Sequence, residues 1–152
     1  MRRKNIRLPP AVYRQPGRAY SVTIGTAPRS AVFDNRAFGR ACVEELGLIR
    51  TRTSARIYAY CLMPDHVHLL IGVPEGFSLS ELVRHWKSRC YLVRRRSGRR
   101  EAFWQRGYYD HAVRADEDLR RAAEYILENP VRAGMVGRPE DYELGGSFEF
   151  EL

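Results

Sequence analysis

Apolar residues recur along the chain with two different periods, and the switches between them outline the elements. Tyr20, Val22 and Ile24 alternate with polar neighbours, the period of a strand with one buried face. The period then changes: Phe38, Cys42, Leu46 and Ile49 fall on one helical stripe, with Asp34 placed to cap it. Arg56 to Leu62 alternates again, with Ile57, Ala59 and Cys61 on one side and Tyr58, Tyr60 and Leu62 on the other. Met63-Pro64-Asp65 reads as a turn, after which Val67, Leu69, Ile71 and Val73 oppose His66, His68 and Leu70. Ser78 and Glu81 have the spacing of a capping box, and the helix they open carries Leu82, Val83, Trp86 and Cys90 before a basic loop, Arg94 to Arg100. Phe103-Trp104 and Tyr108 to Arg114 are strand-like. Asp116 is placed to cap a last helix, whose core stripe is Leu119, Ala122, Ala123, Ile126 and Leu127 and which should stop before Pro130. Gly134, Gly137 and Pro139 mark a loop, and residues 147–152 read as a short strand or as disordered.

The order strand, helix, hairpin, helix, strand, helix predicts an α+β fold. The expected form is a ferredoxin-like antiparallel sheet with helices packed on one face and the other open for DNA. We divide the chain into a basic arm (1–18), one domain (19–137) and a C-terminal tail (138–152). At 152 residues and 44% hydrophobic content it can bury a real core. No apolar run approaches the roughly 20 residues of a membrane span. The basic N-terminus lacks the apolar segment of an export signal, so export is not indicated and a cytoplasmic location is expected. Cys42, Cys61 and Cys90 are scattered and odd in number, which fits a reducing compartment better than a disulfide framework.

Charge adds the first functional clue. The net charge is +8, and all but Lys4 and Lys87 of the 26 basic residues are arginines. The planar guanidinium pairs with phosphate and stacks on bases, so a nucleic-acid partner is favoured over a membrane surface. The alternative is an arginine-biased composition on a solvated surface. The candidate phosphate contacts are Arg2, Arg3, Lys4 and Arg7 in the arm, Arg84 and Lys87 on the second helix, and Arg94, Arg95, Arg96, Arg99 and Arg100 beyond it. Tyr58, Tyr60, Trp104, Tyr108 and Tyr109 are candidates for stacking on unpaired bases, or equally for core packing.

Chemistry enters with His66 and His68. On a strand, residues i and i+2 project from one face, so the two imidazoles stand side by side, spaced to reach one cation. A solvated strand face explains them as well. On the last helix Tyr125 lies roughly 130° from the centre of the core stripe, and Asn129 only about 40° from Tyr125. The pair therefore shares a flank, as a half-exposed surface tyrosine would too.

The combination, in a basic domain of this size, resembles the HUH single-tyrosine nucleases. More closely it resembles the REP-associated tyrosine transposases, relatives of the small transposases of minimal insertion sequences. The resemblance runs over roughly 18–137. It rests on Met63-Pro64-Asp65-His66-Val67-His68-Leu69-Leu70, Phe103-Trp104-Gln105, Tyr109-Asp110-His111-Ala112-Val113-Arg114 and Tyr125-Ile126-Leu127-Glu128-Asn129-Pro130-Val131-Arg132-Ala133-Gly134. It implies a ferredoxin-like sheet, His66 and His68 as paired metal ligands, Tyr125 as nucleophile and Asn129 as the residue completing the metal site. It further implies Mg²⁺ or Mn²⁺ as the metal and single-stranded DNA beside a hairpin as the substrate.

Such a cation would bind a non-bridging oxygen and offset the charge that builds on the phosphate. Attack by the phenol would give a 5′-phosphotyrosine and a free 3′-OH. Two imidazoles and an amide are an unusual set for a hard cation, so metal affinity without DNA should be modest. His111 is a candidate hydrogen-bonding partner near the metal, while His85 and Asp65 read as structural. Three rivals remain: a non-catalytic hairpin-binding module of the same fold, a hydrolase using water, and a degenerate transposase that binds without cutting. Monomer and homodimer are both open.

Overall fold

The computed structural model describes residues 18–27, 30–114 and 116–150, with side chains other than those of 116 and 117. Five strands form one antiparallel sheet: β1 (Ala19–Gly25), β2 (Arg56–Met63), β3 (His66–Gly72), β4 (Tyr109–Val113) and β5 (Gly145–Gly146), in the order β4-β1-β3-β2-β5. The helices are α1 (Arg36–Thr53), α2 (Leu79–Arg96), α3 (Asp116–Leu127) and the single turn α4 (Asn129–Arg132). β1 to β4 and α1 to α3 follow the apolar periods in order, and the fold is the expected α+β, ferredoxin-like one. β5 and α4 were not foreseen, and of the strand-like Phe103-Trp104 only Trp104 pairs, in an isolated bridge to Thr26.

Pairing register decides which side chains share a face. Val22 lies opposite Leu69, and Ile24 opposite Val67, itself opposite Leu62 on β2; all five are buried. This face is covered by α1 and α2, whose buried stripes are Cys42, Leu46 and Ile49, and Leu82, Val83, Trp86 and Cys90. Trp86 also donates its indole N–H to the Cys42 carbonyl at 3.0 Å, tying the two helices together. Each large apolar side chain buried here contributes about 1.5–3 kcal/mol. All three thiols are buried and free of disulfides.

The opposite face carries Thr23, His66, His68, Leu70 and Cys61. It is open only in part. Leu119, Ala123, Ile126 and Leu127 of α3 are buried against the sheet, mainly on β2 and β3. The last helix thus crosses the second face and brings its flank toward the histidines.

Local differences from the expected elements have identifiable causes. The cap of α1 is Asn35, whose Oδ1 accepts from the Phe38 N–H at 3.1 Å; Asp34 sits in the preceding 3-10 turn, Val32–Asp34. The expected Ser78 cap of α2 is present, accepting from the Glu81 N–H at 3.1 Å. Arg94, Arg95 and Arg96 belong to the last turn of α2 rather than to a loop, where their charge complements the negative helix end. Asp116 is the first residue of α3. That helix stops at Leu127, and the chain re-enters helix at Asn129 because proline, which lacks an N–H, is tolerated in a first turn. Gly134, at φ +72°, follows α4 in a conformation that favours glycine.

The segment expected as a tail is tied to the sheet as far as residue 150. Tyr142 donates to the Leu62 carbonyl at 2.6 Å, and Leu144 is buried. Gly39 has no room for a side chain, since a Cβ there would collide with Leu144. Among the described residues no helix is long and apolar enough to cross a membrane.

Candidate active site

The hairpin turn places His66 and His68 at the start of β3. Their ring centroids are 4.9 Å apart, with the planes nearly perpendicular at 87°. Each ring is oriented through Nδ1. His66 donates from Nδ1 to Asp65 Oδ1 at 2.7 Å, because an ionised carboxylate only accepts. His68 Nδ1 lies 3.2 Å from the hydroxyl of Thr23, its register partner on β1. Both Nε2 atoms are thereby left for a ligand, the pattern found for metal-binding histidines. Burial, then the neighbouring charges of His66 and Arg132, push the His68 pKa down to about 4. The ring is therefore neutral near pH 7, the form that ligates. Cys61, facing His68 from β2, has its thiol pushed up to about 12 by burial, which keeps it protonated and inert.

Tyr125 projects from α3 and is 62% exposed, on the flank where the helical projection put it. The Arg132 guanidinium lies over its ring, 3.9 Å from the centroid. Arg132 Nη2 donates to the Tyr125 carbonyl at 2.7 Å and to Asn129 Oδ1 at 2.9 Å. Asn129 Nδ2 is buried without a hydrogen-bond partner. Arg132 links the two halves of the site, since its charge acts on His68 and on Cys61. Among the described residues no three of the His, Cys, Asp and Glu types cluster as a metal site. The described face therefore offers the two imidazoles, with the Asn129 amide joined to them through Arg132, which bonds Asn129 Oδ1 and whose charge acts on His68.

Thr23, Asp65 and Arg132 were not recognised from the sequence as site residues. Asp65 was readable in principle, as a carboxylate adjoining His66 in the turn; Thr23 required the β1/β3 register. His111 is exposed on β4, in the rung of Ser21 and Leu70, and neither site imidazole bonds to it.

Of the candidate DNA contacts, Arg2, Arg3, Lys4 and Arg7 lie outside the described residues. Arg84, Arg95, Arg96, Arg99 and Arg100 are exposed. Lys87 is turned inward, donating to the carbonyls of Gln105 at 2.8 Å and Gly107 at 3.3 Å. Arg94 packs over the Phe103 ring. The aromatic candidates divide sharply. Tyr58 is core, Trp104 packs with Phe33, Trp86 and Phe103, and the Tyr108 hydroxyl bonds Ser80. Tyr109 alone of the five is fully displayed, at 81% exposure, in the same rung as Thr23 and His68.

An antiparallel sheet with paired histidines on a central strand, crossed by a helix bearing an exposed tyrosine, defines the α+β, ferredoxin-like class of this chain. The chain belongs to the family described as Transposase IS200 like, which it matches over residues 17–129. It is 32% identical over 95 residues to a Haemophilus influenzae protein assigned to the REP-associated tyrosine transposases, covering 55% of this chain and 54% of that one. It is 31% identical over 91 residues to the REP-associated tyrosine transposase of Escherichia coli K12, covering 57% and 50%. The chain thus spans about half the length of these relatives. Among solved structures it is similar to a REP-associated tyrosine transposase bound to a REP hairpin. There the TM-score is 0.71 at 23% identity, over 95% of this chain and 80% of that one, which establishes a shared fold.

Proposed function

We propose that this protein is a metal-dependent single-strand DNA endonuclease and strand transferase that cuts and rejoins DNA beside hairpins. Tyr125 is the nucleophile, and His66, His68 and Asn129 hold the metal. The observation that carries this reading is the orientation of both imidazoles through Nδ1, on the sheet face that α3 crosses with an exposed Tyr125. Membership in the transposase family and the hairpin bound by the structural neighbour support it. The expected setting is the cytoplasm.

The residues fit a divalent cation, Mg²⁺ or Mn²⁺. The Nε2 atoms of His66 and His68 are left for a ligand. Asn129 Oδ1 accepts one hydrogen bond from Arg132 and keeps a second lone pair, and the unpartnered Asn129 Nδ2 gives the same side chain a donor for a phosphate oxygen. Bound there, the cation would offset the charge that accumulates on the scissile phosphate.

The remaining chemistry belongs to the chain. The Tyr125 hydroxyl, held at the protein surface, attacks phosphorus in line. A tyrosyl O–P bond forms, the bond from phosphorus to the 3′ oxygen breaks, and the departing 3′ oxygen takes up a proton while the phenol gives one up. The 5′-phosphotyrosine conserves the energy of the broken linkage, so attack by a 3′-OH reseals the strand without ATP. Exposed Arg95, Arg96, Arg99 and Arg100 supply sequence-independent affinity through phosphates.

The deciding experiment incubates the protein with Mn²⁺ and a labelled single strand carrying a hairpin, then looks for an SDS-stable protein–DNA adduct mapped to Tyr125 by mass spectrometry. The expected result is an adduct that Tyr125→Phe and chelation both abolish, with DNA binding by Tyr125→Phe retained. Cleavage without an adduct, surviving Tyr125→Phe, would replace this reading with a water-using hydrolase. Binding without cleavage would leave the hairpin-binding module.

A further inference from the structure

We infer that Arg132 is the positioning residue of the nucleophile: its guanidinium locks the Tyr125 ring and the Asn129 amide into one unit. This rests on the reading of Tyr125 given above.

An exposed tyrosine on a helix flank is free to sample rotamers, and the α3 core stripe makes no use of its ring. The contact that holds the phenol is the guanidinium stacked on it at 3.9 Å. The same group reaches the Tyr125 carbonyl at 2.7 Å and Asn129 Oδ1 at 2.9 Å, both through Nη2. An arginine that served only to satisfy a carbonyl at the end of α3 would need the first of these bonds and neither the stack nor the amide contact.

The local backbone explains how Arg132 gets there. The chain leaves helix at Glu128, re-enters it at Asn129-Pro130, and ends the turn at Gly134. Within this short insert Arg132 turns back over the residue seven positions earlier. Both hydrogen bonds run through one nitrogen at the edge of the guanidinium, which leaves its planar face for the ring. Lysine cannot substitute, because an ammonium lacks the planar surface that lies over the ring while its edge makes both bonds. Asn129 and Tyr125 are the two α3–α4 side chains that must be placed relative to one phosphate. A displacement of about 1 Å at such a site costs on the order of 100-fold in rate.

The test compares the parent with Arg132→Ala and Arg132→Lys, all as the full chain. The first readout needs neither metal nor DNA: the ring ¹H–¹³C signals of Tyr125, assigned with Tyr125→Phe. Both variants should shift them and average the ring environment. The second is single-turnover adduct formation, set against affinity for the same strand measured in a Tyr125→Phe background. Adduct formation should slow by roughly 10- to 100-fold while affinity changes by less than about 3-fold, with added guanidinium ion partly restoring the rate of Arg132→Ala. If Arg132→Ala fails to fold, Arg132→Lys decides alone. Unchanged ring signals, an adduct rate within about 3-fold of the parent, or a slowing matched by weaker affinity would overturn the proposal. A parent that forms no Tyr125 adduct defeats the nuclease reading instead; the ring signals then decide whether Arg132 positions Tyr125.

Discussion

The Asp65 carboxylate holds the Nδ1–H of His66 at 2.7 Å from the adjoining position in the chain. A turn residue thereby orients the ring that follows it and leaves Nε2 for a ligand. Asp65→Asn removes the ionised acceptor while keeping the shape of the turn. Mn²⁺ affinity, measured by calorimetry with uncleavable DNA present, should fall by about 10- to 100-fold. An unchanged affinity would reduce Asp65 to a turn former.

Tyr109 presents its ring beside the His68 rung, exposed to solvent. Stacking of a flanking base on this ring is expected to contribute about 1–3 kcal/mol. Tyr109→Ala should weaken binding of a single strand accordingly and leave the melting temperature unaltered. Retained affinity in a fluorescence titration would remove Tyr109 from the DNA path.

Arg95 and Arg96 are exposed in the last turn of α2. Replacing each with Gln should lower the slope of log affinity against log salt by about 0.7 for every phosphate that is no longer neutralised, the value for single strands. The weakening should be the same for unrelated sequences. A slope that does not move would place the DNA elsewhere.

Glu149, its side chain 3% exposed, accepts from Arg50 at 2.7 Å and Arg56 at 3.1 Å and from the Ile57 N–H at 3.2 Å. Desolvation pushes its pKa up, but the hydrogen bonds outweigh this and leave the carboxyl below its ordinary value. A depressed folded-state pKa stabilises above the unfolded pKa near 4.3, and the gain is lost as pH falls through the folded value. Glu149→Gln should therefore cost about 1–3 kcal/mol at pH 7 in a urea titration, and the gap from the parent should close below about pH 4. A gap independent of pH would assign the cost to packing instead.

Much of this was legible in the sequence, for particular reasons. The order of strands and helices followed from apolar period, and the shared face of His66 and His68 from strand geometry. The outward flank of Tyr125 followed from helical projection. What escaped depended on distant parts of the chain meeting. Thr23 reaches His68 across 45 positions through the β1/β3 register. Tyr58 and Trp104 could stack on bases or on neighbours until the packing chose. Arg132 was given no role from the sequence: the stop before Pro130 was legible, but not that the chain re-enters helix at Asn129 and turns Arg132 back over Tyr125. The partial cover of the second face by α3 likewise followed from where the chain returns, which local pattern does not record.

The strand at the β2 edge, with the residues around it, has a consequence for the order of assembly. Tyr142 and Glu149 close contacts across 80 to 106 positions, to Leu62, Arg36, Arg50, Arg56 and Ile57. Loops that long close late, after hairpins and helices whose partners lie nearby. A polypeptide emerging from its N-terminal side would form the histidine hairpin early and then wait, with the Tyr60 edge of its sheet unpaired, until residues 142–149 arrived. During that interval the nascent chain is vulnerable to strand pairing with its neighbours, and a chaperone's protection would matter most there.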